Sequence, residues 1–318
     1  MTSAQGEFQS IEQYWKDWPS SQVPWVEQGI GDDAAVLTNL PPGKLLMCAD
    51  SMVLGTHFTN ATPVASLGYK LIASNLSDLL AMAAKPLAAT LCLTLPTLNA
   101  SWLEQFQLGV KQACAAFQVP LVGGDTTTGP LVLSLQLLGV SQKPWLRSGA
   151  MPGDIVFVSG TLGDARAGLA LTLAQDAAEP CSLSWRDHEQ QLIQTFHYPA
   201  IAFALLSDPQ SLGAVSAAID LSDGLLNDLQ HLCRASEVSA EIDPLLLPIS
   251  SALAQYCMQH NCNPQEQALL GGEDYQLCLC IAPEQVDRFL DYCIGVGVAM
   301  TRIGQIQPVA ESAVLVTG

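Results

Sequence analysis

Short apolar runs with strand character alternate with longer stretches of helical periodicity along nearly the whole chain. That alternation restricts it to an α/β or α+β architecture. Residues 45–49 form the first expected strand. A helix follows from Thr62, an N-cap residue with Pro63 at the first helical position, and runs to Ala84 before Pro86 stops it. Residues 87–95 read as a strand, 101–117 as a helix, and 119–122 and 131–140 as strands. The turn-rich segment 141–153 joins this half to a second. There 154–158 reads as a strand, 162–174 as a helix, 175–189 as a polar loop, 214–221 as a strand and 225–236 as a helix. Residues 275–281 and 299–306 add strands around a helix at 283–293. For 318 residues two domains are expected, 1–145 and 146–318.

The chain carries 30 acidic residues against 12 Lys plus Arg, a formal charge of -18. Such a chain repels polyanions, so nucleic acid and anionic membrane surfaces are excluded as partners. It also has few cations with which to hold a phosphate directly. No run of 18 apolar residues predicts a membrane span, and the N-terminus lacks the basic and apolar regions of a secretory signal. The ten cysteines include no CxxC pair and mostly sit in apolar contexts such as ATLCLTLP and YQLCLCIAP. They read as core thiols of a cytoplasmic protein rather than as zinc ligands.

Aspartates recur beside glycine or small polar residues, at expected strand ends or helix starts. Asp32 and Asp33 lie in GIGDDAAVL, Asp50 ends LLMCAD, Asp78 lies in NLSDLLAM and Asp125 in LVGGDTTTG. Asp220 and Asp223 lie in AIDLSDGL, and Glu273 and Asp274 in LLGGEDYQL. One such residue is an ordinary cap or turn former. The set carries weight because several interrupt apolar segments, where a carboxylate is unfavourable unless paired. Two carboxylates ~4 Å apart repel by about 4 kcal/mol at an effective dielectric of 20. A hard cation with oxygen ligands relieves this, and Mg²⁺ takes one or two carboxylates together with substrate phosphates. Asn75 and Asp78 share a helix face. Gly123-Gly124-Asp125 is expected as a flexible turn whose amides approach a phosphate closely. Gly271-Gly272-Glu273 fits either that role or a tight turn before a strand.

Residues 29–34 match a loose GxGxxG/A pattern, but two aspartates there would repel a pyrophosphate, and the preceding SSQVPWVEQ is a poor buried strand. No GxxxxGK[ST], protein-kinase VAIK or HRD motif, or GxSxG elbow is present. His57 stands out in GTHF after the Asp50 strand, whereas His188, His197, His231 and His260 read as surface or loop residues. Arg147 is a scarce arginine in the joining segment, suited to stabilising transferred charge if it faces phosphate.

The ordered series GIGDDAAVL, CADSMVLGTHF, NLSDLLAMAAKP, VGGDTTTGPL, RSGAMPGD, DLSDGLLNDL and GGEDYQL resembles the thiamine-monophosphate kinase family over nearly the whole chain. The resemblance implies the two-domain aminoimidazole ribonucleotide synthetase-like fold, with strands of two N-terminal domains pairing in a homodimer barrel. It implies ATP-dependent phosphorylation of thiamine monophosphate to thiamine diphosphate, the last step of that cofactor's biosynthesis. Asp33, Asp50, Asp78, Asp125, Asp220 and Asp223 would hold several Mg²⁺ ions. Gly124, Asp125, Arg147 and Ser222 would contact ATP, His57 and Glu273 the thiamine monophosphate. Asp125, Arg147 and Asp223 would carry catalysis. The chain departs from the family at Cys48-Ala49, where Ser-Thr is frequent, at Met151, where Lys is frequent, and in ending without the family's aromatic tail. Two other readings are another superfamily synthetase, such as selenophosphate synthetase, and a non-catalytic acidic metal-binding module. The absence of Cys before Cys48 weighs against the first. The lack of D-x-D-x-D loops weighs against the second.

Overall fold

The computed structural model describes residues 14–15, 18, 23–177, 185–208 and 215–317. It divides into two units, Met1–Leu79 with Ala84–Gln142, and Leu80–Ala83 with Lys143–Gly318.

Unit 1 is built on a four-stranded sheet of β3 (Lys44–Val53), β4 (Lys85–Leu95), β5 (Leu121–Thr128) and β6 (Val132–Ser141), in the order β3-β6-β4-β5. Two short strands, β1 (Val26–Gln28) and β2 (Val36–Leu37), pair apart from it. The β4–β5 pair is parallel, with helix α2 (Ala100–Phe117) between them in sequence, as a parallel connection requires. Helix α1 (Val64–Ala81) precedes β4. Leu133, Leu135 and Leu137 of β6 and Leu91 and Leu93 of β4 are buried at period 2, giving the sheet one apolar face. The buried Asn75 of α1 ties that face to the helix by bonds to β3.

Two local expectations change. Thr62 turns its hydroxyl to accept the Thr59 N–H at 3.1 Å, so it braces the preceding turn, and α1 begins only at Val64. Ala83 adopts φ 51, which ends the helix near Ala81 before Pro86 is reached.

Unit 2 contains β7 (Ile155–Ser159), β8 (Val215–Leu221), β9 (Ser239–Ile242), β10 (Gln276–Ile281), β11 (Met300–Gln307) and β12 (Val314–Val316), in the order β12-β9-β11-β7-β10-β8. Its helices are α3 (Asp164–Ala177), α4 (Asp187–His197), α5 (Leu225–Ser236), α6 (Ser251–His260), α7 (Pro264–Leu270) and α8 (Val286–Gly295). Every residue of β7 and β10 is buried, so these strands are covered on both faces. Val156, Ile219 and Ile303 pack with Leu229 of α5 in one cluster. Phe157, Leu277 and Leu279 pack with Phe289 of α8 in another.

Part of the loop expected at 175–189 lies outside the described residues, as does Ala214. Gln175 belongs to α3 and residues 187–189 to α4. His188 and His197, expected at the surface, are buried in α4 because they share its inward side with Leu192 and Phe196. Cys114, Cys233, Cys257, Cys278, Cys280 and Cys293 are buried free thiols, and burial pushes Cys114 up to about 12. Cys181 lies outside the described residues. Among the described residues no helix is long and apolar enough to cross a membrane.

Candidate active site

Unit 1 places Asp50 and Asp125 at two opposite edges of one sheet. At the β3 edge, Asp50 sits within the strand rather than at its end. Its N–H donates to Asn75 Oδ1 at 3.0 Å, and the Cys48 thiol donates to the Asn75 carbonyl at 3.3 Å. Cys48 is thus turned towards α1. Asp78, half-buried, lies one helical turn beyond Asn75. The exposed His57 accepts the Val53 N–H on Nδ1 at 3.1 Å. Partial desolvation raises the Asp50 carboxyl above its ordinary range, and the nearby His57 partly offsets that. Asp50 and His57 therefore share one electrostatic neighbourhood.

At the other edge, Gly123, Gly124 and Asp125 lie inside β5 and not in a turn. Gly124 pairs with Leu91 and Asp125 with Cys92. Gly124 adopts φ 156, and a Cβ there would run into the Leu91 carbonyl. The glycine is needed because the two backbones approach too closely for a side chain. The ladder runs from Asp50 through Leu135 and Leu91 to Gly124. Three strand spacings of ~4.8 Å put these edges roughly 14 Å apart. Within unit 1 Asp50 and Asp125 are therefore not brought together. Gly124, Asp125 and Thr126 line a pocket with Trp15, Ile30 and Leu91. Asp33 is exposed, with its N–H donating to Asp32 Oδ1 at 2.8 Å.

Unit 2 gathers its expected residues at the end of β8. Asp220 is buried near the strand's end, Ser222 is half-buried and Asp223 is exposed. Gly224, at φ 103, turns the chain into α5. The Asp223 N–H donates to Asp228 Oδ2 at 3.0 Å, and the Asn227 amide donates to the Asp223 carbonyl at 3.2 Å. Burial pushes the Asp228 carboxyl up to about 6, with the charges of Asp223 and Asp220 adding to the rise. The exposed Arg147 lies on a loop alongside β8, where Ala218 N–H donates to the Leu146 carbonyl at 2.9 Å. The Ser236 hydroxyl donates to the Arg147 carbonyl at 2.8 Å and accepts the Gly149 and Ala150 N–H groups at 3.1 Å. The Glu273 N–H donates to the Ser222 carbonyl at 2.8 Å, so the GGEDY turn sits directly on the DLSD turn. Met151 is 66% exposed on the Arg147 loop.

Among the described residues no three His, Cys, Asp or Glu groups converge as a ready-made metal cluster. The donor set still fits a hard divalent cation. It consists of carboxylates, and Asp33, Asp50, Asp125 and Asp223 are exposed.

Residues 31–141 match the family described as AIR synthase related protein, N-terminal domain, and residues 151–317 its C-terminal domain. A thiamine-monophosphate kinase of Escherichia coli strain K12 is 40% identical over 308 residues, covering 95% of this chain and 90% of that protein. The chain belongs to the thiamine-monophosphate kinase family. A Salmonella typhimurium thiamine-monophosphate kinase is 41% identical over 307 residues, with the same coverage. The crystal structure of the Stenotrophomonas maltophilia thiamine-monophosphate kinase superposes with a TM-score of 0.85, at 36% identity, covering 94% of this chain and 93% of that one. A solved complex of AaThiL with AMPPCP and TMP superposes with a TM-score of 0.77, at 35% identity, covering 86% and 83%. The mixed α/β two-domain fold expected from sequence is the fold of these family members.

In this thiamine-monophosphate kinase family member, sequence reasoning gave no role to Asp228 and Asp274, both buried. Asp228 carried a readable signal. It lies three residues after Leu225 and four before Leu232, on the apolar side of α5.

Proposed function

We propose that the chain transfers the γ-phosphoryl group of ATP directly to thiamine monophosphate, giving ADP and thiamine diphosphate. The observation that carries this reading is near-full-length relationship to thiamine-monophosphate kinases, one relative being solved with AMPPCP, an ATP analogue, and TMP. The acceptor is itself a phosphate, with a second pKa of about 6, so its oxygen is anionic at pH 7. No general base is needed, which suits a site without a histidine placed for proton removal. The difficulty lies in bringing one anion up to another.

Asp33, Asp50, Asp78, Asp125, Asp220 and Asp223 would hold Mg²⁺, which when bound neutralises phosphate charge and favours in-line displacement. Gly124, beside Asp125 on the edge strand β5, would contact ATP through its backbone. Ser222 would donate to ATP, and Arg147 would stabilise the charge that develops on the transferred group. Glu273 would attract the cationic thiazolium, with His57 contacting the same substrate. In this reading residues 1–145 form the ATP- and Mg²⁺-binding and dimerisation domain, and residues 146–318 the C-terminal α/β domain. The homodimer proposal is supported by β3, an edge strand with Leu45 55% and Met47 79% exposed, an unfavourable surface for an isolated chain. Cytoplasmic location is proposed with it, since both substrates and reduced thiols belong there.

Incubation with ATP, Mg²⁺ and thiamine monophosphate, followed by chromatography, tests the reading. Thiamine diphosphate is expected from the monophosphate and not from free thiamine. Product from free thiamine alone, or none from either, would overturn it.

A further inference from the structure

Asp274 is only 5% exposed, a costly position for a carboxylate unless its lone pairs are satisfied. They are satisfied by backbone. Oδ2 accepts the Gly163 N–H at 2.7 Å, and Oδ1 accepts the Ala165 N–H at 3.1 Å. Both donors belong to the start of α3, where free N–H groups favour an anion. The chain on either side of Asp274 is strained. Glu273 has φ 64 and Tyr275 has φ 51, left-handed values that a bulky residue keeps only when its surroundings fix them.

Those surroundings are the end of β8. The Glu273 N–H donates to the Ser222 carbonyl at 2.8 Å, and the Tyr275 N–H donates to the Leu221 carbonyl at 2.9 Å. A Cβ on Gly272 would stand 2.7 Å from the Ser222 carbonyl, so the turn lies against that backbone with no slack. The Gln276 amide donates to the Ala200 carbonyl at 2.7 Å and continues the anchoring beyond the turn. Had this position served packing alone, an apolar residue of similar volume would stabilise as well or better.

We propose that Asp274 is a positioning residue for the acceptor substrate. Its carboxylate, fastened to the first turn of α3, holds the Glu273–Tyr275 turn in the one shape that presents Glu273 to the thiazolium. The inference rests on the kinase reading and on Glu273 as the acceptor contact.

Steady-state kinetics of the full-length protein test it, with Asp274→Asn, Glu273→Gln and the double variant, varying each substrate in turn. Asp274→Asn raises KM for thiamine monophosphate roughly tenfold and leaves KM for ATP within about twofold. In the Glu273→Gln background the same change adds little, because both losses pass through one contact. Additive effects in the double variant, or equal effects on both substrates, would show a merely structural group and overturn the proposal. If Asp274→Asn does not fold, Asp274→Ser, which keeps one acceptor without a buried charge, is carried through the same cycle. Failure of the wild-type protein to phosphorylate thiamine monophosphate would remove the kinase reading and the proposal together. An additive cycle in an active enzyme would remove the proposal alone.

Discussion

The acidic residues of unit 1 and unit 2 are positioned by different means. In unit 1 Asp50 and Asp125 stand on strands, and the sheet ladder sets where each sits. The further support there is neutral, the Asn75 amide that accepts the Asp50 N–H. In unit 2 Asp223 and Glu273 stand on turns, and each turn has a buried carboxylate behind it. Asp228 holds the backbone of Asp223, and Asp274 holds the turn of Glu273. A strand carries its own hydrogen-bonded frame, whereas a turn needs side chains to fix it. The same residue type thus does two jobs. Exposed Asp223 is available to a cation, whereas buried Asp228 and Asp274 are committed to N–H donors.

The contrast breaks most directly at the exposed aspartates. Asp125→Asn and Asp223→Asn are expected to lower turnover by roughly 10²–10³-fold each while the unfolding midpoint moves little. Near wild-type turnover in both would remove their catalytic role. Next comes the strand frame. Gly124→Val forces a side chain into the Leu91 carbonyl and is expected to destabilise by about 3 kcal/mol or more in urea unfolding. Asn75→Leu removes the acceptor of the Asp50 N–H and should lose about 2 kcal/mol.

A smaller effect comes from the buried acids and depends on pH. Asp228 and Asp274 are raised from 3.8 to about 6 and about 7. The native state therefore binds their protons more tightly than the unfolded chain. Their contribution to stability is fullest below pH 4 and is lost as pH rises through these values. Asp228→Asn should flatten the stability profile between pH 4 and 6 by on the order of 1–2 kcal/mol, read from unfolding midpoints without added metal. An unchanged slope would mean that Asp228 does not titrate there. The smallest effect on folding stability is Asp33→Asn, expected within about 0.5 kcal/mol in urea unfolding without metal because the residue is exposed.

The sequence revealed most where pattern and chemistry agreed. Helix α5 occupies the expected residues 225–236, and α2 begins one residue before its expectation. Strand β5, expected at 119–122, runs Leu121–Thr128. Its extension was hidden because Gly123-Gly124-Asp125 is turn-like composition, and a parallel neighbour overrides it. Strands β9 and β12 have four and three residues, too few for a period to show. Helix α6 did carry a signal in Ser250, whose hydroxyl accepts the Leu253 N–H at 2.9 Å. The acidic motifs marked out the site residues. In the sequence only the spacing of Asp228 to Leu225 and Leu232 separates it from exposed Asp223, because burial follows from which side of α5 meets the sheet.

Direct phosphoryl transfer is tested most sharply by a single-turnover experiment with γ-labelled ATP, Mg²⁺ and the wild-type protein. The label is expected to pass from ATP to thiamine diphosphate only when thiamine monophosphate is present, and never to rest on the protein. Label retained on the polypeptide, or released as inorganic phosphate with the acceptor unchanged, would contradict the account.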